Sequence, residues 1–311
     1  MSAVATKYGP LHGLSSAEFY LEGTLKECVL QELNEVATPW GVLVPQYSDS
    51  DVRRKYTSSM GFYQNGAIRR ISLNQQTSIS TPVGVFPAEL LTFYESGNLK
   101  RLFPLNGKLS AYWSEEDEYK LAREFDFQFI FGSFKKKIMA IHFYESGAVK
   151  SLTFWPQDSL AVQTPVGEVE VRIGISLHVN GRIRSLEPRT PMTVHTPIGD
   201  IRAFHADTQG IHGDDNSLVF DEDGSICSLV TSSDMIVVSD GEGKKSVFAP
   251  GFKDRGTSIT PLRIDFCSGL VRIGNGKKNQ YEINRHRFFI HHLPGIINHN
   301  CDTCSGCNAC G

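Results

Sequence analysis

Four cysteines, Cys301, Cys304, Cys307 and Cys310, close the sequence as CDTCSGCNACG, each two residues from the next. A thiolate binds soft and borderline metals, and two intervening residues let consecutive side chains point at one centre. One such pair supplies two ligands to zinc or to an iron–sulfur cluster, and three cysteines at this spacing supply three corners of a 4Fe-4S cluster. The fourth completes a four-thiolate set. The residues between them are Asp, Thr, Ser, Gly, Asn and Ala. All are small or polar, so the backbone can curl tightly and offer N–H groups to sulfur. The expected centre is a 4Fe-4S cluster on Cys301, Cys304, Cys307 and Cys310. Zinc would accept four thiolates, although its structural sites usually pair two separated knuckles, and copper(I) would accept two or three. A metal-free tail stays open as well: a thiol relay, reversible disulfides, or the substrate of a modifying enzyme.

Two further groups carry ligand chemistry. His299 stands two residues before the tail, with His291 and His292 upstream. The stretch FHADTQGIHGDDNS holds His205, Asp207, His212, Asp214 and Asp215. It matches no metal motif and reads first as a polar surface loop, with His205, Asp207 and His212 as secondary metal candidates. His195, before a Thr-Pro-Ile-Gly turn, reads as a pairing residue on a strand. No G-x-S-x-G or H-E-x-x-H occurs, and SDGEGKK lacks the strand-to-helix setting of a phosphate loop. Cys28, Cys227 and Cys267 are isolated in apolar stretches and read as buried, inert thiols. Nothing in the body commits to catalysis.

The elements that position these residues are repeats. FYLEGTLKECVL from Phe19 recurs as FYQNGAIRRISL from Phe62, FYESGNLKRLFP from Phe93 and FYESGAVKSLTF from Phe143. Weaker copies start at Leu177 and Phe220, and FCSGLVRI from Phe266 is a shorter seventh. Thr-Pro-x-Gly keeps step at Thr38, Thr81, Thr164 and Thr196, with a decayed copy at Ser239 and none after Gly97. Asn-Gly, Ser-Gly and Asp-Gly suit hairpin turns because glycine takes positive φ without a clash. Thr-Pro-x-Gly suits a turn in which proline presets φ. In GAIRRISL, Ile68 is out of phase with Ile71 and Leu73, which predicts a bulge after the turn.

These units resemble the variant MORN repeat, a hairpin with an aromatic–glycine–basic pattern, over residues 19–235. The resemblance implies stacked antiparallel hairpins forming an extended twisted sheet, a scaffold for partners, and no reaction. The tail resembles the ferredoxin run C-x-x-C-x-x-C. It departs in its fourth cysteine, which follows two residues rather than three and precedes Gly311 instead of proline.

The expected organisation is an all-β chain: a lead-in or cap over 1–18, hairpin repeats over 19–239, a β segment over 240–290, a linker over 291–300 and a flexible cysteine tail over 301–311. An insertion at 108–140 carries one short helix, begun at Ser114 by a run of acids and ending near Arg123. FDFQFIF after it alternates as a core-facing strand, and Lys135–Lys137 reads as a solvated turn. At 40% hydrophobic and 21% charged residues the composition is that of a globular chain. Nothing in the net charge of −3, from 31 basic and 34 acidic residues, argues for nucleic acid or an anionic membrane, and neither is expected as a partner. No apolar run approaches the roughly 20 residues that span a bilayer, and no signal peptide is visible. The expectation is a cytoplasmic, non-catalytic scaffold that docks a protein partner and presents the tail for electron transfer or cofactor assembly.

Overall fold

The computed structural model describes residues 3–47, 52–54, 58–208, 213–214, 216–253, 258–274, 276 and 279–293. The chain divides into two compact units, residues 1–186 with 210–215 and residues 187–209 with 216–311. Both are built from antiparallel hairpins, with a single α-helix among the described residues, as the sequence predicts.

In the first unit the repeats are successive hairpins. Leu14–Phe19 pairs with Leu25–Leu30, Met60–Phe62 with Ile68–Thr81, Gly84–Phe93 with Leu99–Phe103, and Gly132–Phe143 with Val149–Phe154. The return strand of each hairpin pairs with the first strand of the next. Among the described residues Leu14–Phe19 pairs with Leu25–Leu30. Every turn uses one design. The Tyr20 amide donates to Thr24 O and the Gly23 amide to Tyr20 O, and the same two bonds recur at Tyr63, Tyr94, Tyr144 and His178. The glycine follows in the left-handed region, φ 80–89° across these five turns, which a Cβ would oppose. The register then slips by a residue, as at Gly61/Phe62. This is the expected bulge, and it lets Ile68, Ile71 and Leu73 all reach the core.

The repeats are also stitched together side by side. The hydroxyls of Tyr20, Tyr63, Tyr94 and Tyr144 donate to the backbone oxygens of Phe62, Phe93, Phe143 and Leu177, at 2.9, 2.8, 2.8 and 2.8 Å. Each tyrosine thus bonds the residue that opens the following repeat.

The second turn owes its shape to threonine as much as to proline. The hydroxyls of Thr38, Thr81 and Thr164 donate to the oxygens of Gly41, Gly84 and Gly167, and each accepts the amide two residues on. The lead-in, described from residue 3, is built of strands too. Thr6-Lys7-Tyr8-Gly9 makes the same clamp without proline, joining Val4–Thr6 to Gly9–Leu11. The copy missing after Gly97 is present at Phe129–Gly132, in the same register and with φ 138° at the glycine. It lies 32 residues after Gly97 rather than 15, and phenylalanine replaces the threonine that would have revealed it. These tips seat on the repeat turns. A Cβ added at Gly66 would meet Lys7, one at Gly147 would meet Pro82 and one at Gly181 would meet Ile130. The Trp40 indole donates to Gly97 O at 3.3 Å.

The inserted helix, Glu115–Leu121, starts at Ser114 with reciprocal Ser114–Asp117 capping bonds and carries four acids in its first turn. A buried triad anchors it. The Arg53 guanidinium grips both oxygens of Glu89 and both of Glu118, and the amides of Asn106 and Gly107 complete the two carboxylates. In the strand Glu124–Phe129 only Phe127 is fully buried; Phe129 is half-buried and stacked on it, and Phe125 is half-buried and tilted against Phe86. Lys135–Lys137 lies within the strand Gly132–Phe143, not in a turn. Lys136 pairs with Asp158, and Lys137 sits 3.9 Å over the Tyr119 ring.

In the second unit Leu218–Phe220 pairs with Ile226–Thr231, which pairs with Leu262–Cys267. Asp234–Ser239 lies between Lys245–Phe248 and Arg287–His292. Ser239 does not begin a decayed Thr-Pro-x-Gly turn. Asp240 and Gly243 make the aromatic-repeat turn instead, with φ 82° at Gly243. The copy at Phe266, one residue shorter, closes through Ser268 and Gly269, both at positive φ (44° and 79°), which is the two-residue hairpin geometry.

Candidate functional site

The residues singled out for metal chemistry fall into two sets. Cys301, Cys304, Cys307, Cys310, His299 and His212 lie outside the described residues. His205 and Asp207 are described, in the second unit. The His205 amide donates to Glu187 Oε1 at 3.0 Å, and the same buried carboxylate accepts the Ser217 amide and hydroxyl. The Asp207 carboxylate accepts the Ile259 amide. Both residues tie a loop to its neighbours. Among the described residues no group of three or more His, Cys, Asp or Glu is placed to hold a metal ion. His195 pairs across its hairpin with Asp200, Nδ1 to Oδ1 at 2.8 Å. Cys28 is buried, and desolvation pushes its thiol up to about 12, so it stays protonated and inert. Cys227 is half-buried and Cys267 exposed; the latter ends the strand Leu262–Cys267 at the mouth of a tight turn.

A polar row that the sequence reading passed over crosses the first unit. Glu18, Glu27, Gly61, Arg70, Thr92, Arg101, His142, Ser151 and Ser176 are successive cross-strand partners. Each stands either just before a repeat's opening aromatic or apolar residue, or four residues after its glycine. Asp214 lies against this row. Its carboxylate accepts the Arg101 guanidinium and the Ser151 hydroxyl, and His142 Nδ1 approaches Oδ1 to 3.1 Å. Burial alone would raise the Asp214 carboxyl. The bonds from His142 and Ser151 and the Arg101 charge instead hold it well below the ordinary carboxylate range. Burial pushes the His142 imidazole down, against the pull of Asp214, and the Arg101 and Lys150 charges add to the depression. An ionised Asp214 only accepts, so His142 Nδ1 carries the proton.

The segment is held closely. The Gly213 amide donates to Thr153 Oγ1 at 3.0 Å. A methyl group on Gly174 would collide with Leu152 O and lie 2.8 Å from Gly213 Cα. Serine, histidine and aspartate meet here, but Ser151 bonds Asp214 rather than His142, and His142 Nε2 is buried without a partner. A nucleophilic triad needs the hydroxyl at that nitrogen. The cluster clamps three strands and does not activate a nucleophile.

The first unit also has an open groove of about 270 Å³ among the turns. Trp40, Pro82, Leu99 and Phe143 form its apolar walls, with Asn98 and Glu145 among its polar lining. Asn98 Nδ2 donates to Glu145 O at 3.1 Å, which joins two consecutive repeat turns. A second recess of about 270 Å³ beside the helix is lined by Leu121, Arg123, Phe125 and Ile138, and Arg123 is bonded there to Gln76.

No family model, curated protein or solved structure matches the chain. Functional assignment therefore rests on its own side chains. No helix among the described residues is long and apolar enough to cross a membrane.

Proposed function

We propose that this chain is a non-catalytic hairpin-repeat scaffold that docks a protein partner and carries a 4Fe-4S cluster on Cys301, Cys304, Cys307 and Cys310, for electron transfer or cofactor assembly in the cytoplasm. The observation that carries this reading is the cysteine spacing: four thiolates at a strict three-residue interval, with no bulky residue between them. That donor set suits a cluster whose four iron corners each need one sulfur ligand. When bound, the cluster would supply one-electron chemistry. The body supports a scaffold role because its buried acids are engaged in structural pairing: Glu89 and Glu118 on Arg53, and Asp234 on Arg202 and His292.

The test is iron, sulfide and visible absorption of protein purified without oxygen, beside a chain ending at residue 300. A brown full-length protein and a colourless truncated one are expected. A full-length chain that holds no iron or sulfide after anaerobic reconstitution overturns the cluster. Stoichiometric zinc or copper in its place would assign the thiolates to those metals. An intact mass above the calculated value would mark the tail as a modification substrate.

A further inference from the structure

We propose that the groove at Trp40 is a socket for a lysine side chain of a partner protein. The proposal deepens the docking half of the function above and rests on it. The walls come from four turns that repetition brings together: the Thr-Pro-x-Gly tips supply Trp40 and Pro82, and the aromatic-repeat turns supply Asn98, Leu99, Phe143 and Glu145. Bonding of the Trp40 indole to Gly97 O and of Asn98 to Glu145 O fixes the two sides, so the groove is preformed. Its volume of about 270 Å³ suits one side chain rather than a cofactor.

Charge selects the occupant. Glu145 is the only ionised residue lining the groove, and its carboxylate has no ion pair among the described residues. A ligand must therefore combine an apolar stem for the exposed ring of Pro82, above the buried Leu99 and Phe143, with a cation for Glu145 and the half-buried Trp40, whose ring attracts a cation through its quadrupole. The chain already makes this kind of contact. At the preceding repeat turn the stem of Lys7 lies along Gly66, its Cε 3.4 Å from where a Cβ would stand. Lys100 and Lys150 sit 5.4 and 5.7 Å over the rings of Tyr94 and Tyr144 in the two repeats that build the groove.

The chain carries three tryptophans, so their indole N–H signals in a ¹⁵N correlation spectrum can be told apart, with Trp40→Phe identifying Trp40. Titration with Nα-acetyl-lysine methylamide should shift the Trp40 signal saturably and leave Trp113 and Trp155 in place. The norleucine analogue, which keeps the stem and lacks the ammonium, should bind about fivefold more weakly, the factor an exposed charge pair supplies. Glu145→Gln, at an exposed position, should remove that preference and leave norleucine binding unchanged. Equal binding of the two analogues, an unchanged preference in Glu145→Gln, or no Trp40 shift would each overturn the socket. The titration reads the body alone. Lysine binding without iron would uphold the socket and refute the cluster; iron without lysine binding would do the reverse.

Discussion

Replacing Asp214 by Asn removes the one carboxylate that holds Arg101, His142 and Ser151 together. Breaking one partner out of a buried pair costs about 3–5 kcal/mol. The Asp214 and Arg101 side chains keep 18% and 14% of their exposure, so solvent screens part of the unpaired charge and a loss of about 2–3 kcal/mol is expected. The assay is urea unfolding followed by tryptophan fluorescence. It reports this unit alone, because Trp40, Trp113 and Trp155 all lie in residues 1–186. The pH dependence tests the cause. The Asp214 carboxyl is lowered in the folded state, so its contribution is complete above the unfolded value of about 3.9 and is lost as pH falls below it. The gap between wild type and Asp214→Asn should therefore shrink below about pH 3.9, after a modest widening between neutrality and that point, because Asp214 holds the His142 imidazole up. His142 is lowered too. The unfolded chain takes up that proton first, so stability should already decline as pH falls through about 6.5, and His142→Gln should flatten that slope. A loss at neutral pH below about 0.5 kcal/mol, the range of an ordinary surface substitution, or a gap that does not shrink below about pH 3.9, would refute the clamp.

Three further substitutions probe the scaffold. Tyr94→Phe removes the 2.8 Å bond to Phe143 O and should cost about 1 kcal/mol in the same unfolding assay. Gly174→Ala places a methyl group against Leu152 O and Gly213. It should destabilise the unit by more than about 1 kcal/mol and raise amide exchange at Gly213. Arg53→Met strands Glu89 and Glu118 beneath the insertion and should cost about 3–5 kcal/mol. Adding Glu89→Gln and Glu118→Gln should recover a large part of that loss, which separates stranded charge from lost packing.

The repeats were legible because their turns are chemically demanding. Glycine takes the left-handed position at Gly23, Gly66, Gly97 and Gly147 without a Cβ clash, so those positions stand out in the sequence. The misreadings share a cause. A turn can keep its backbone path when the marker residue changes, as Phe129–Gly132 and Thr6–Gly9 do, and Ser239 resembles a marker while its neighbours make the other turn. The helix at Ser114 was readable because capping is local. The partners of Arg53 were not, since Glu118 lies 65 residues away in the chain.

The polar row shows how far such local reading extends. Its members are spaced regularly from each repeat glycine or opening residue, so repetition alone brings them onto adjacent strands once the bulges set the register. What the row does depends on Asp214, which is 63 residues from Ser151 and 113 from Arg101. No local signal links such distant positions, and the composition of the histidine–aspartate loop does not say which of its acids pairs with Arg101. Arg101 and His142 hold Asp214 in the first unit, while the His205 amide and the Asp207 carboxylate bond in the second. A ligand set must converge, and the proposal for the four cysteines rests on their local spacing.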